Sequence, residues 1–302
     1  MNARSGTTAV KRGGLWWGSV LMMALLAIAA PVTPALAQVE VEALAVGETL
    51  YEIRLTDGSV LFARVTEVEG DTIVLVTSGD LRLEVVRSQI REVRVAEGRL
   101  VEGEFWREDQ NLSRLFFTAT GRALERGEAY IGTYFVVLPF FAVGVTDRFT
   151  MAAGAPLTFG QLEPFYLAPK LQIIRTPGAE ISVGTLIVFL NDEQVGITYG
   201  VGTFGTKDHA LTLGLGFGFA GDEFSSQPLA MIGGESRVSR RIKLVTENYF
   251  LPGETGVVYS GGLRIIGERF STDLALGGFV GGGESGCCLP LVNFSYAFGR
   301  GR

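Results

Sequence analysis

Large apolar side chains alternate with small or polar ones along most of the second half of the chain. In Leu211–Phe219 every odd position is Leu or Phe and every even position is Thr or Gly. Successive side chains of a strand point to opposite faces, so one face of this segment is apolar and the other almost bare. A strand whose second face was in contact with water would carry polar side chains on that face. The pattern predicts strands with lipid outside and a crowded lumen inside.

The same unit, about ten residues of alternation and a short turn, repeats along the rest of the chain. Ile197, Tyr199 and Val201 supply the apolar face of one repeat, which we expect to contact lipid, and Phe270–Gly277 and Val292–Phe298 supply two others. The predicted strands lie near 129–137, 139–146, 149–155, 164–175, 179–190, 195–206, 210–220, 228–238, 242–251, 256–266, 270–280 and 289–299. Twelve is an even number, as closed bacterial barrels require, and ten strands are the alternative.

Residues 129–146 contain no charge and are long enough to form a transmembrane helix. Pro139 stands in the middle of this stretch, which also contains Gly132 and Gly144 and is rich in residues that favour strands. We therefore expect two strands here. The fold class is predicted to be all-β throughout, with a soluble β-sandwich or lipocalin-like barrel as the alternative to a membrane barrel.

The first half of the chain shows shorter and more highly charged alternation between Glu48 and Val95. Turn signals separate its runs, the clearest being Asp57-Gly58, because this pair readily takes the positive φ angles of a tight hairpin. Four or five such strands predict a small β-barrel within residues 38–104. The spacing resembles SH3-like and Sm-like barrels. The RNA binding of Sm-like proteins is not expected, since the segment has no basic or aromatic stacking patch.

The first 37 residues predict an export signal. Basic residues precede an uncharged run from Gly13 to Ala30, and Pro34–Ala37 has the small-residue form of a cleavage site. An uncleaved membrane anchor is the alternative. In the exported protein the small domain would lie in the periplasm and the barrel in the outer membrane.

Residues 105–127 form a connector that mixes aromatic residues with charges, and we expect it to pack on the mouth of the barrel formed by residues 128–302, with insertion at an interface as the alternative. Turn lengths predict the orientation of that barrel, because the connections on the periplasmic side should be the short ones. The short connections are 146–148, 176–178, 207–209, 239–241 and 267–269. The opposite connections are expected to be longer on average, and Gly281–Cys288 is one of them.

Composition and charge narrow the possible functions. The chain has 302 residues, of which 47% are hydrophobic and 41 are glycine, and its formal net charge is −6. No basic cluster follows the first dozen residues, so nucleic acid is not an expected partner. The single histidine, His209, lies in a predicted turn without a neighbouring Ser nucleophile pattern. We expect no enzyme activity, cofactor or metal, and an outer-membrane lipase built on His209 is the alternative.

Charged side chains on the predicted barrel strands can lie only in the lumen or at the rims, because the lipid face excludes them. If Glu268-Arg269 is a two-residue turn, Arg264 lies opposite Asp273 on the inward face. The preceding hairpin then places Lys243 opposite Arg264.

Glu247 falls on the same face, so Lys243, Glu247, Arg264 and Asp273 are expected to form one ion-paired lumen network. Lys170 and Gln172 are expected to join it from the strand Phe165 to Arg175. The network is either a polar pathway for a solute or a structural network that plugs a narrow barrel.

Cys287 and Cys288 are the only cysteines of the chain. In an exported loop they can form an adjacent disulfide, cross-link to a partner or remain thiols. We expect no catalytic role for them.

Five segments carry a resemblance to a known family. They are Leu115-Phe116-Phe117 with Thr120-Gly121, Val143–Phe149, Gly200–Gly205, Leu213–Gly221 and Val245–Tyr249. Through them residues 111–302 resemble a family of exported bacterial outer-membrane β-barrel-like proteins. The resemblance implies the envelope location and the barrel, and it brings no activity with it.

The sequence as a whole predicts a non-enzymatic outer-membrane barrel, either structural or a narrow channel for small solutes. One alternative is a membrane-anchored adaptor that recruits a periplasmic protein through residues 48–95. Another is a soluble lipid-binding β-barrel. Outer-membrane lipid is the expected partner of the first two.

Overall fold

The computed structural model describes residues 44–96, 98–156, 164–190, 193–251 and 256–298. The predicted export signal lies outside the described residues. Within them no helix is both long enough and apolar enough to cross a membrane. The described chain consists of strands, turns and one 3₁₀-helical turn at Arg87–Gln89.

A five-stranded antiparallel sheet forms the first part of the chain, in the spatial order β4-β3-β2-β1-β5. Its strands are β1 (Leu50–Leu55), β2 (Val60–Glu69), β3 (Thr72–Thr77), β4 (Arg82–Val86) and β5 (Ile90–Val95). Ile53, Val65 and Leu75 are fully buried in its core. A turn lies at Asp57-Gly58 as predicted, although only Gly58 takes a positive φ, of +89°. The SH3-like or Sm-like identity of this sheet stays a prediction.

A short hairpin follows, formed by β6 (Gly98–Val101) and β7 (Glu104–Arg107). The chain then runs without a regular strand to Glu128.

Twelve strands of the described chain close into an antiparallel barrel, because β20 pairs with β8 and β13 pairs with β14. They are β8 (Ala129–Tyr134), β9 (Leu138–Gly144), β10 (Phe149–Gly154), β11 (Phe165–Thr176), β12 (Ala179–Leu190), β13 (Glu193–Gly205), β14 (His209–Ala220), β16 (Leu229–Arg237), β17 (Ile242–Leu251), β18 (Gly256–Ile266), β19 (Phe270–Gly281) and β20 (Glu284–Phe298). A two-residue strand, β15 (Glu223–Phe224), pairs antiparallel with the end of β14. The predicted number of strands is confirmed, and residues 129–146 form two of them.

Large apolar side chains are exposed on the outer face of the barrel, as the alternation predicts. They include Leu171, Val183, Leu211, Leu213, Leu215, Phe217, Leu244, Phe270, Leu274, Leu276, Val292, Phe294 and Tyr296. Their exposed fractions lie between 36% and 56%, which is far above the exposure of a soluble protein's core residues. The barrel therefore carries an apolar belt.

Strand β13 presents the face opposite to the one predicted. The register pairs Gly202 with Leu213, whose side chain points outward, so Tyr199 and Val201 point inward. Val201 is only 2% exposed and belongs to a cluster with Phe116 of the connector. The prediction was wrong because the lumen also holds apolar groups, so the apolar face of a strand is not always the face that contacts lipid.

The short turns lie at the same end of the barrel as the small sheet. Arg54 of β1 donates to both carboxylate oxygens of Glu268 at 2.7 Å, and Arg99 of β6 pairs with Asp208. The longer loop predicted at Gly281–Cys288 is wrong, since β19 continues to Gly281 and β20 begins at Glu284. His209 opens β14 rather than lying in the turn, and its Nδ1 is 3.0 Å from Ser236 Oγ.

Candidate functional site

Residues 109–124 of the connector lie inside the barrel rather than on its mouth, where we expected the connector to pack. Leu115, Phe116 and Thr120 have no exposed surface, although they belong to no strand. Leu115 and Phe116 pack against inward side chains of the wall, namely Val201, Met231, Val245, Ala275 and Leu291. The lumen therefore has an apolar core that its own connector completes, and we call residues 109–124 the plug.

The side chain of Glu247 holds the backbone of the plug. Its carboxylate accepts hydrogen bonds from the N–H groups of Phe116, Phe117 and Thr118, at 2.8, 3.0 and 3.1 Å. The hydroxyls of Thr118 and Tyr249 also bond to it. A segment outside any sheet leaves its backbone N–H groups without partners, and one buried carboxylate satisfies three of them here.

Lys170 performs the complementary task for the carbonyl groups of the plug. Its Nζ donates to the carbonyl oxygens of Ser113, Thr120 and Arg122, at 3.1, 3.0 and 2.6 Å. An ammonium group has three donors, so all of them are used.

Gly121 touches the wall more closely than any side chain would allow. Its carbonyl accepts from Gln172 Nε2 at 2.9 Å and from Ser182 Oγ at 2.8 Å, while its N–H donates to Thr203 Oγ1 at 2.9 Å. A Cβ at this position would collide with the carbonyl of Glu180. Glycine is therefore required here by contact and not by a turn.

Charges of alternating sign run through the lumen in one chain of ion pairs. The order is Glu180, Arg122, Glu235, Lys243, Asp109, Arg264 and Asp273. Asp109 and Arg122 belong to the plug, whereas the other five belong to the wall. Each cation thus lies between two anions, which offsets the cost of removing these groups from water.

Asp109 is the central anion of this chain, with Oδ2 at 2.8 Å from Lys243 Nζ and 3.4 Å from Arg264 Nη1. Burial by itself would raise the pKa of Asp109. The positive charges of Lys243 and Arg264, with the N–H of Asn111, outweigh burial and hold that pKa below its ordinary value.

The five predicted network residues all lie in the lumen, but they do not form one directly bonded network. Arg264 and Asp273 are paired at 2.6 Å, in the register expected, and Lys243 lies opposite Arg264 across the strands. Lys243 reaches Arg264 only through Asp109. Glu247 and Lys170 bind the backbone of the plug instead.

Sequence reasoning missed Asp109, Arg122 and Glu235. The first two were assigned to a connector outside the barrel, so no partner for a wall charge was sought among them. The signal in the sequence was that Asp109 and Arg122 flank the apolar run Leu115–Phe117, so they lie near the two ends of the buried segment.

A second group of contacts joins the small sheet to the end of the barrel. Arg107 donates to Glu52 at 2.9 Å, and Arg54 bridges Glu52 to Glu268. Burial alone would raise the pKa of Glu52, but the hydrogen bonds and charges of Arg107 and Arg54 lower it. These contacts tie the sheet to a barrel turn.

A cavity of about 430 Å³ lies beyond the plug, on the side away from the small sheet. It extends from Lys170 and Arg114, in the middle of the barrel, to Leu229 at the far end of β16. Its wall is mostly apolar and carries five tyrosines, Tyr130, Tyr134, Tyr166, Tyr199 and Tyr249.

Cys287 and Cys288 form a disulfide, and they lie within β20 rather than in a loop. Cys288 has a φ of +69°, and the register with β19 shifts next to the pair. Among the described residues no three His, Cys, Asp or Glu side chains are grouped as a metal site requires.

No protein-family model and no curated protein matches the chain. Similar solved structures include a KdgM porin in complex with disordered oligogalacturonate, with a TM-score of 0.43 and 8% identity over 57% of this chain and 98% of that one. They also include a NanC porin, at 0.38 and 10% over 56% and 97%. A third is a loop-deletion form of OmpT, an outer membrane protein of Vibrio cholerae, at 0.36 and 10% over 82% and 95%. These similarities are low.

Proposed function

We propose that this chain is a non-enzymatic outer-membrane barrel, closed by its own plug, that holds a small domain at its periplasmic end. The observation that carries the proposal is the occupation of the lumen by residues 109–124, with their backbone bonded to the wall on several sides. Of the two predicted roles, a structural role is favoured over that of a narrow channel, because the plug fills the path that a solute would take.

The apolar belt supports the membrane location. Side chains such as Leu213, Leu276 and Phe294 are 43%, 56% and 45% exposed, and in water this surface would be a large apolar patch. In a bilayer the same surface is buried against lipid. The export signal predicted at residues 1–37 supports delivery to the envelope.

Two measurements on the full chain test the proposal. Cell fractionation with gel mobility of boiled and unboiled samples should place the protein in the outer membrane, with a faster unboiled band. Conductance in a planar bilayer should show no steady open level for the wild type and an open level for a variant that lacks residues 110–123. A soluble protein without a mobility shift, or a wild type that conducts like the deletion variant, would contradict the proposal.

An adaptor role is the second candidate, and one feature of the small sheet favours it. Strand β4 lies at an edge of the sheet as described, and an edge strand can pair with an extended segment of another protein. Val86 lies on that edge and Val60 lies on the internal strand β2. Their side chains are similarly exposed, at 37% and 42%, so Val60 serves as the matched control. A periplasmic partner bound at the edge should be lost with Val86→Lys and kept with Val60→Lys, and equal loss with both variants would refute the edge.

A further inference from the structure

Basic residues are concentrated at one end of the barrel, on the short turns beside the small sheet. Four of the five turns carry them, and the residues are Arg148, Lys207, Arg240, Arg241 and Arg269. They are scattered along the sequence, and the antiparallel fold brings them to one rim of the barrel.

The opposite end of the barrel carries charge of the other sign. Its described connections, 135–137, 221–228 and 282–283, hold no basic residue and include the exposed Asp222 and Glu223. In the sequence the other connections, 155–164, 191–192 and 252–255, likewise contain acidic residues and no basic one. Basic side chains are therefore a property of one rim alone.

The turn Ser239–Arg241 has two adjacent arginines, both exposed, and no acidic residue. Elsewhere at this rim acidic partners are present: Lys207 pairs with Glu108, and Glu268 pairs with Arg54. Among the residues that the structure describes, no carboxylate forms an ion pair with Arg240 or Arg241. These two charges are available to a partner outside the chain.

The backbone of this turn is fixed from inside the barrel, so its two arginines are held at the rim. Buried Arg237 donates from Nε to the carbonyl oxygen of Ser239 at 3.2 Å and from Nη2 to that of Arg240 at 2.6 Å. The Ser239 hydroxyl accepts from the N–H groups of Arg241 and Ile242, at 3.4 and 3.1 Å. None of these bonds uses the side chain of Arg240 or Arg241, so both can be replaced without loss of the turn.

Exposed apolar side chains of the belt lie next to the two arginines in the chain. Val238 precedes them and Ile242 follows them, with 55% and 37% of their surface exposed. Leu244 continues the belt along the outer face of β17. An arginine at the edge of an apolar surface can lay its stem on that surface and keep its charged head at the polar boundary. A partner that matches both features offers an apolar body and an anionic head.

We propose that the turn Ser239–Arg241 binds the anionic headgroup of a phospholipid, in the leaflet on the side of the small sheet. A planar guanidinium matches two oxygens of a phosphate, and basic residues at a membrane surface favour anionic lipid. A soluble anion would satisfy the charges but would leave Val238 and Ile242 exposed to water. The inference rests on the proposed membrane location and adds to it a preference for one class of lipid at one rim.

Tryptophan quenching by brominated lipids tests the proposal on the full chain, reconstituted in phosphatidylcholine vesicles. Ile242→Trp places the reporter beside the two arginines, and Phe250→Trp places it on the same outer face of β17 near the opposite rim. The signal of the chain without the added tryptophan is subtracted. Phosphatidylcholine brominated on its acyl chains should quench both reporters, because both positions belong to the belt.

Brominated phosphatidylglycerol measures the headgroup preference. At low ionic strength its affinity for the site beside position 242 should exceed that of brominated phosphatidylcholine by at least about fivefold, with no such preference beside position 250. Added salt should weaken the preference because it screens exposed charges.

Two double variants in the Ile242→Trp chain locate the charges responsible. Arg240→Gln with Arg241→Gln should bring the two lipids to equal affinity. Arg82→Gln with Arg91→Gln removes the same net charge from exposed positions of the small sheet and should retain the preference. The fast unboiled gel band reports whether each variant has folded. The comparison of positions 242 and 250 needs no arginine variant, so it still decides the matter if one of them fails to fold.

Equal affinity of the two lipids beside position 242 would overturn the proposal. So would a preference that survives the loss of Arg240 and Arg241, or one that appears equally beside position 250. In each of these cases quenching by phosphatidylcholine still demonstrates the membrane contact. Absence of quenching by either lipid at both positions would instead contradict the membrane location on which the inference rests.

Discussion

Replacing Glu247 with alanine should release the plug without unfolding the barrel. The carboxylate accepts three backbone N–H groups, at 2.8 to 3.1 Å, and is itself fully buried. A buried donor left without a partner costs about 1–3 kcal/mol, so three of them cost roughly 3–9 kcal/mol. Water that enters around a released plug forms hydrogen bonds with these N–H groups and offsets part of the cost. We therefore expect a loss of stability near the lower end of this range, about 3 kcal/mol.

Hydrogen exchange measures this change at the amides concerned. A loss of about 3 kcal/mol corresponds to roughly a hundredfold faster exchange through local opening of residues 116–118. Glu247→Gln keeps one acceptor oxygen and should show a smaller acceleration. Glu193→Ala removes an exposed carboxylate at the start of β13 and serves as the control. If Glu247→Ala exchanges as slowly as Glu193→Ala at these amides, the carboxylate does not hold the plug.

Three further predictions concern the charges and the glycine contact of the lumen. The pKa of Asp109 lies below its ordinary 3.8, so its contribution to stability is complete above that pH and is lost as the pH falls below it. The difference in unfolding free energy between wild type and D109N should therefore be constant from about pH 7 to pH 5 and shrink below 3.8 in denaturant titrations, and a difference independent of pH would contradict this. Gly121→Val should abolish the fast unboiled gel band because the new side chain meets the wall backbone, whereas Gly200→Val, where a Cβ has no neighbour within 4 Å, should keep it. Arg264→Ala and Asp273→Ala should each cost about 3–5 kcal/mol, and the double variant should cost less than their sum by at least about 1 kcal/mol, so exact additivity would argue against a direct pair.

The strands and much of the register could be predicted because both depend on local features. Alternation over ten residues identifies a barrel strand, and the tight turn Glu268-Arg269 then fixes Arg264 opposite Asp273. The pairing of Lys243 with Arg264 follows in the same way from the preceding hairpin.

The plug could not be predicted in this way, because its position depends on contacts distant in sequence. The N–H groups of Phe116 and Thr118 have no local acceptor, and Glu247, which accepts them, lies about 130 residues away. The inverted face of β13 has the same origin. Val201 is apolar because it meets Phe116 in the lumen, and alternation alone cannot distinguish an apolar lumen contact from a lipid contact.

Cross-linking tests the position of the plug most directly. Leu115 of the plug and Met231 of β16 belong to one buried apolar cluster, so cysteines at 115 and 231 should lie within reach of a short bifunctional maleimide. Ile232 is the next residue on the same strand, and its side chain is exposed on the outer face of the barrel.

The measurement is cross-linking by the bifunctional maleimide, read by mass spectrometry of peptides from the folded full chain. We expect a cross-link between the engineered cysteines of Leu115→Cys with Met231→Cys and none for Leu115→Cys with Ile232→Cys. The native Cys287–Cys288 pair is expected to remain joined in both. Absence of the 115–231 cross-link in a folded barrel, or equal cross-linking to position 232, would contradict the placement of the plug in the lumen.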